Sequence, residues 1–188
     1  MSAPAKTSER EICEAARRLL ESQGEVGLSM QSIAAAVGVR APSLYKRFSS
    51  RTDLLSVAGR GALRELAEAL GDPAEGEQAY ESLERMAHTY RKFAKKNPRT
   101  YALLFGERLA AREDFTAARQ AAAEPLLALL TQAMGKEAAL PAARMLVSYL
   151  HGFVSMELAK TFRFGGNVQE AFQFGLTRML DSLLRGKK

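Results

Sequence analysis

The chain has 188 residues, of which 47% are apolar and 26% are charged, and its formal net charge is +6. This balance is typical of a globular protein with one core or two small ones, and it excludes the disordered class. The single cysteine, Cys13, excludes an internal disulfide and a cysteine zinc cluster. The N-terminus has no apolar run of signal-peptide or membrane length, so we expect a cytoplasmic protein with no membrane partner.

The first periodic segment follows a helix-start signal. Ser8 and Glu11 have the spacing of a capping box, in which each side chain bonds the other residue's backbone N–H. Apolar residues then recur at helical spacing, which predicts a helix that ends near Gly24. The predicted inward face is Ile12, Ala15, Ala16, Leu19 and Leu20.

Residues 28–48 predict two short helices joined by a tight turn. Ser29 can cap the first helix, and Gly38 can end it by adopting a left-handed conformation that other residues disfavour. Pro42 suits the first turn of the second helix, where its missing N–H would have been unpaired anyway. The small residues 34–36 allow the close approach that a helix-turn-helix requires. The predicted inward face of the second helix is Leu44, Tyr45 and Phe48.

The second short helix carries a concentrated positive charge. Residues 38–60 contain five basic residues and one acidic residue, and no acidic residue occurs between Glu25 and Asp53. An ordinary helical hairpin with a solvated basic face is the alternative interpretation, but the acid-free window favours DNA. The side chains predicted to be exposed are basic, small or hydroxylic, the types that reach bases and phosphates from a major groove. They are Arg40, Ala41, Ser43, Lys46 and Arg47.

These residues resemble the DNA-binding segment of TetR-type transcriptional regulators. The resemblance covers Thr7 to about Ala58, with Arg47 and Arg51 as departures that keep or add positive charge. The matching residues are Ser29, Ile33, Ala34, Ala36, Gly38, Val39, Pro42, Ser43, Leu44, Tyr45, Phe48, Arg51, Asp53 and Leu54. The resemblance implies a DNA-binding regulator, most simply a repressor released from a palindromic operator in double-stranded DNA by a small-molecule effector. The predicted DNA-binding residues are Ser29, Arg40, Ala41, Pro42, Ser43, Tyr45, Lys46 and Arg51.

Every later segment also has helical rather than strand periodicity, which predicts an all-α protein. Ser50 and Asp53 begin a helix of about 30 Å that ends at Gly71. Further helices are predicted over residues 77–97, from Pro98, over 113–134 with a kink or break at Pro125, over 141–162 and over 168–184. We expect a three-helix DNA-binding domain over residues 1–56, joined by the long helix to a helical ligand-binding and dimerisation domain over 57–188.

The last two predicted helices carry apolar residues around more than half of their circumference. Two apolar faces imply two packing partners, one within the domain and one in a second chain, which predicts a homodimer built on a four-helix bundle. The predicted dimerisation residues are Leu150, Val154, Phe174, Leu183 and Leu184.

The segment from Leu146 to Leu158, with His151 and Gly152, resembles one TetR-type C-terminal subgroup. Methionine and aromatic residues usually form plain core, so the prediction of an effector pocket depends on this family resemblance. The resemblance implies a small, largely apolar effector and no cofactor. The predicted effector-binding residues are Leu66, Met86, Tyr90, Phe105 and Phe153.

Two alternatives remain open from the sequence. An enzyme is disfavoured because the only candidate pair, Glu84 and His88, has no third partner at metal-site spacing and there is no phosphate-binding glycine loop. An architectural DNA-binding protein would need no effector, and the large C-terminal region argues against it. A further basic run over residues 91–99 is interpreted as solvated cations that face the C-terminal end of a helix dipole.

Overall fold

The computed structural model describes residues 7–185; the first six and last three residues of the predicted domain ranges lie outside this part of the chain. Nine α-helices occur in it, together with one 3-10 helix, Glu107–Leu109. The helices are α1 (Glu9–Gly27), α2 (Met30–Ala36), α3 (Ala41–Tyr45), α4 (Arg51–Leu70), α5 (Ala79–Lys96), α6 (Pro98–Phe105), α7 (Glu113–Met134), α8 (Lys136–Leu158) and α9 (Val168–Arg185).

The all-α prediction is confirmed, since residues 7–185 contain no β-strand. They form two compact units, one of residues 7–65 with 97–120 and one of residues 66–96 with 121–185. The predicted boundary after residue 56 therefore falls inside α4 and inside the first unit. This unit also contains α6, which packs on α1, a long-range contact that sequence periodicity does not reveal.

The first unit is built on α1, whose start and inward face agree with the sequence prediction. The Ser8 backbone N–H donates to Glu11 Oε2 at 2.7 Å, and the Glu11 N–H donates to Ser8 Oγ at 3.2 Å. Gly24 has a φ of +72°, so regular helical geometry is interrupted there as expected. Four of the five residues predicted to face inward are fully buried: Ile12, Ala15, Ala16 and Leu20. The fifth, Leu19, is half-buried.

The second unit is a helical bundle in which α5 packs on both α8 and α9. Leu83 and Met86 of α5 are buried, as are Phe172 and Leu176 of α9. Across the described residues, no helix combines the length and the apolar character that crossing a bilayer requires.

Two prolines lie inside helices that the sequence analysis placed differently. The helix α7 continues through Pro125 as one element, so the alternative of a split helix was wrong. The helix α8 begins at Lys136, after Gly135 at a φ of +87°, and not at the predicted Pro141. Pro141 lies near the start of α8, where the loss of a single backbone hydrogen bond does not end the helix.

Candidate DNA-binding surface

The helix-turn-helix is closed by local hydrogen bonds at both ends of α2. Ser29 Oγ accepts the Ser32 N–H at 3.0 Å, and the Ser29 N–H donates to Ser32 Oγ at 2.9 Å. At the other end, the Val39 N–H donates to the Ala34 carbonyl at 2.9 Å and the Gly38 N–H donates to the Ala35 carbonyl at 3.3 Å. These two bonds make a Schellman motif, which directs the chain from α2 into α3.

We expect Gly38→Ala to destabilise the protein by about 1 kcal/mol. Gly38 has a φ of +71°, and a residue with a Cβ loses about this free energy in the left-handed conformation. A Cβ at this position would meet no atom within 4 Å, so the cost is conformational and not steric. Urea unfolding monitored by circular dichroism measures it. Gly38→Asn is the matched control and should lose less, because asparagine tolerates this conformation better; equal losses would contradict the explanation.

The second helix, α3, buries one face and exposes the other. Leu44 is buried within it, and Phe48 is buried just beyond its end, whereas the Tyr45 side chain is 54% exposed. The prediction that Tyr45 belongs to the inward face was therefore wrong. The helix ends at Tyr45, and Leu44 and Phe48, four positions apart, already fill the contact with the core.

The predicted DNA-binding residues lie around this exposed face. We use the term α3 surface for Arg40, Ser43, Tyr45 and Lys46, all of which are exposed. Of the other predicted residues, Pro42 and Arg51 are exposed, whereas Ser29 and Ala41 are half-buried. The Ser29 hydroxyl is already used as the cap of α2. The α3 surface therefore presents cations and hydroxyls, and the sequence around it, between Glu25 and Asp53, contains no carboxylate. Such a surface suits contact with a polyanion such as DNA.

Arg47 is exposed but has a structural role. Its Nη1 donates to the Thr7 carbonyl at 2.8 Å, and its guanidinium lies 5.8 Å from the centre of the Phe48 ring. The side chain thus links the end of the helix-turn-helix to the residues that precede α1.

An ion-pair network that the sequence analysis missed holds the start of α4. Asp53 Oδ2 accepts the backbone N–H groups of Ser49 and Ser50 at 3.0 Å each, and Asp53 Oδ1 accepts Arg112 Nη1 at 3.0 Å. Arg112 Nε also donates to Asp114 at 3.0 Å, and Asp114 accepts the Ser56 hydroxyl at 2.9 Å. The network joins residues almost 60 positions apart, so no local sequence signal could have indicated it.

These contacts favour the ionised forms of both carboxyl groups. The Ser49 hydroxyl, followed by Ser50 and Arg112, lowers the pKa of Asp53 to about 2. Arg112, followed by Ser56, lowers the pKa of Asp114 to about 2. Hydrogen bonds to a carboxylate stabilise its charged form, which explains the direction.

We expect the network to make stability depend on acid pH. A carboxyl group with a lowered folded-state pKa stabilises the fold above its unfolded pKa, here near 3.8, and this contribution is lost as the pH falls toward 2. Urea unfolding between pH 5 and pH 2 should show it. The pH slope of the unfolding free energy is set by the number of protons that the chain takes up when it unfolds. In the Asp53→Asn, Asp114→Asn double variant this number should fall by up to about two. An unchanged slope would show that the two carboxyl groups are not coupled to folding.

Two family models cover most of the chain. Residues 12–58 match the model described as bacterial regulatory proteins, tetR family, and residues 83–179 match the tetracyclin repressor-like C-terminal domain. The chain is 31% identical over 157 residues to the HTH-type transcriptional regulator Rv0681 of Mycobacterium tuberculosis, covering 82% of this chain and 72% of that protein. The chain belongs to the TetR family.

Other relatives and solved structures agree with the TetR assignment. The HTH-type transcriptional regulator YobS of Bacillus subtilis is 23% identical over 187 residues, which cover 96% of this chain and 95% of that protein. A TetR variant from Acinetobacter baumannii AYE, solved with minocycline, has a TM-score of 0.72 at 23% identity and covers 97% of this chain and 99% of its own. SCO7222, a TetR from Streptomyces coelicolor, has a TM-score of 0.78 at 17% identity, with coverage of 95% and 98%. At these identities the two structures support the fold alone.

The residues predicted to bind an effector in this TetR-family protein do not all lie in one unit. Phe105 belongs to the first unit, where it is 38% exposed and its ring centre is 4.9 Å from that of Tyr101. Phe153, in the second unit, has ring centres 4.8 Å from Phe162 and 5.2 Å from Phe172. The remaining predicted residues are buried in the second unit: Leu66, Met86 and Tyr90.

The predicted dimerisation residues also divide into two groups. Leu150 and Val154 are 5% and 0% exposed, so they are already buried by their own chain and their placement on an exposed dimer face was wrong. Phe174 is 66% exposed, and Leu183 and Leu184 are half-buried. An exposed stripe without charge occurs instead on the opposite side of α8: Met145, Ser148, Gly152 and Met156.

The Glu84 and His88 pair, considered above as a metal or acid-base site, is held by a third side chain. His88 Nε2 lies 3.0 Å from Gln173 Oε1, and Gln173 Nε2 donates to Glu84 Oε1 at 2.5 Å. Gln173 thus links α5 to α9 through both residues. Within residues 7–185, no group of three or more His, Cys, Asp or Glu side chains has a metal-site arrangement. The TetR family consists of transcription regulators, and this pair is explained by helix packing.

Proposed function

We propose that this TetR-family regulator is a homodimeric repressor that binds a palindromic operator in double-stranded DNA and is released from it by a small molecule. The exposed α3 surface on a closed helix-turn-helix is the observation that carries the proposal. Arg40 and Ala41 would face the bases in the major groove, while Ser43, Tyr45 and Lys46 would hold phosphates. Ser29, Pro42 and Arg51 would complete the contact with the backbone.

The dimer is supported by the exposed faces of the last two helices. The stripe on α8 consists of small and thioether side chains, and Phe174 lies exposed on α9. Exposed apolar area of this kind is reduced when two copies of the same helix pair form a four-helix bundle. A twofold dimer would present two α3 helices, which matches the symmetry of a palindromic operator.

The effector is supported by the aromatic residues of the second unit. Phe153, Phe162, Phe172 and Tyr149 form a cluster of ring contacts around α8 and α9. The TetR variant from A. baumannii, which is similar in fold, was solved in complex with minocycline. We infer that this chain also takes a small molecule with substantial apolar area, and that four predicted residues of the second unit are candidates for contact with it: Leu66, Met86, Tyr90 and Phe153. Phe105 belongs to the first unit and is left out of this proposed site.

Selection of bound sequences from a random duplex pool tests the proposal. A repressor of this kind should enrich a palindrome with half-sites separated by about one helical turn or a multiple of it. A promoter fusion that contains the selected sequence should then give lower transcription when the protein is present. Enrichment without sequence preference would instead indicate an architectural DNA-binding protein, and no enrichment would contradict DNA binding.

We expect effector and operator to weaken one another's binding by the same factor, of about 5- to 150-fold. The helix α4 begins next to the helix-turn-helix, and its last turn, residues 66–70, belongs to the second unit, so a shift there would change the separation of the two α3 helices. Calorimetric titration of an effector with and without operator DNA measures the coupling. Equal effector affinity in both titrations would remove the release step, even if both binding sites were real.

A further inference from the structure

A basic groove lies in the second unit where α5 meets the N-terminal end of α9. It has a volume of about 380 Å³ and is lined by His88, Arg91, Lys92, Lys95 and Gln169. The four residues from α5 follow one another at spacings of three, one and three, which places them on one face of the helix. The basic run over residues 91–99 was interpreted from the sequence as solvated cations at a helix end, but three of its members line this groove. We refer to it as the α5–α9 groove.

Arg91 provides a fixed positive charge in the wall of the groove. Its side chain is only 6% exposed, and its Nε and Nη2 donate to the two carboxylate oxygens of Glu157 at 2.7 and 2.8 Å. Its Nη1 donates to Gln169 Oε1, and the guanidinium lies 4.5 Å from the centre of the Phe172 ring. These contacts hold the guanidinium in one orientation, so the groove is preorganised without a ligand.

The groove has more positive than negative charge. Glu157 accepts from both Arg91 and Lys95, the latter at 2.9 Å, so one carboxylate serves two cations. Among the described residues, Lys92 has no salt-bridge partner, and it is exposed. Glu84, one turn before His88, is bonded to Gln173 and does not line the groove.

The backbone of α9 adds to this potential. Asn167 Oδ1 accepts the Gln169 and Glu170 N–H groups at 2.9 and 3.4 Å, so the first turn is capped. The N-terminal end of this 18-residue helix carries the positive end of the helix dipole. Gln169 belongs to this first turn and lines the groove, whereas the Glu170 carboxylate of the same turn accepts from Asn167 Nδ2 at 3.0 Å and does not line it. Within the lining, the dipole and the lysines favour the same sign of ligand charge.

We propose that the α5–α9 groove binds the anionic group, a carboxylate or a phosphate, of a small molecule. Lys92 and Lys95 would donate charge-assisted hydrogen bonds to this group, and Arg91 would contribute its fixed charge. The volume lies at the lower end of the range for small-molecule sites. The inference goes beyond the proposed function, because that function requires an effector but assigns it no charge.

Titration calorimetry with benzoate and with inorganic phosphate tests the site in the full-length protein. Benzoate should bind and neutral benzamide, which has nearly the same shape, should not; the phosphate titration shows which of the two anions the groove prefers. The Lys92→Gln, Lys95→Gln double variant should weaken the preferred anion by about tenfold or more, the factor expected when hydrogen bonds to a charged group are lost. Lys136→Gln, an exposed lysine of α8 outside the groove, is the matched control and should bind normally.

A second variant covers the case in which the double variant does not fold. Gln169→Glu keeps a partner for Arg91 but adds negative charge to the groove, so it should also suppress anion binding. Binding of benzamide equal to that of benzoate, or unchanged anion binding in all groove variants, would overturn the proposal. The double variant could also lose affinity for duplex DNA while its anion binding is unchanged. That result would overturn the proposal, because it would show that the groove contacts DNA. Sequence selection is scored separately, so failure of the repressor model leaves these titrations interpretable.

Discussion

Phe174→Glu is expected to convert the proposed dimer into monomers at micromolar concentration. Phe174 is 66% exposed on α9, more than any other large apolar side chain described on α8 and α9. Transfer of an unpaired carboxylate into an apolar interface costs about 3 kcal/mol or more, which raises the dissociation constant by more than about 100-fold. Sedimentation velocity over a range of concentrations measures the change.

Two further variants make the dimer test specific. Arg178 lies 5.2 Å from the Phe174 ring and could pair with the introduced glutamate, so Met156→Lys on the α8 stripe provides an independent disruption. Val26→Glu is the matched control, because Val26 is 95% exposed but lies in the first unit. We expect it to leave the dimer intact. A native chain that sediments as a monomer would contradict the dimer and the palindrome together.

Alanine substitutions on the α3 surface are expected to separate phosphate contacts from base contacts. Lys46→Ala should weaken binding to all duplexes by a similar factor and should lower the slope of log affinity against log salt by about one. Arg40→Ala should instead relax preference at particular operator positions, by about 1 to 3 kcal/mol for a bidentate contact with guanine. The difference arises because phosphates are the same in every sequence, whereas base edges are not.

Fluorescence anisotropy on operator and scrambled duplexes at several salt concentrations measures both effects. Arg64→Ala is the control, since Arg64 is an exposed cation of α4 outside the α3 surface. It should change neither specificity nor the relative affinities of the two duplexes. If Lys46→Ala and Arg40→Ala both bind as the native protein does, α3 is not the helix that reads DNA.

The sequence by itself was sufficient to predict the helix-turn-helix. Ser29, Gly38 and Pro42 act within a few residues of their own positions, through a cap, a left-handed turn and a preset φ. Such interactions depend on short-range sterics and hydrogen bonding, so their signals are readable without knowledge of the fold. The resemblance to the TetR family rested on the same segment, and the match of residues 12–58 to the tetR family model confirms it.

The sequence could not decide which apolar face each long helix buries. Leu150 and Val154 were expected at a dimer face, but α8 turns that side toward its own unit and leaves Met145 and Met156 exposed. An apolar stripe predicts that a face is covered but does not identify the element that covers it. The same limit explains Tyr45, whose exposure follows from how much core surface Leu44 and Phe48 already fill.

Only the tertiary structure decided the polar contacts between distant helices. Three such contacts join residues 59 to 89 positions apart in sequence: Asp53 with Arg112, Arg91 with Glu157, and Gln173 with Glu84 and His88. Only the contact of Arg112 with Asp114 in the first network is local. Their side-chain types are common on helix surfaces, so composition does not distinguish a solvated cation from one that is buried and paired. Packing sets that difference, because it determines which charges lose water and which partners replace it.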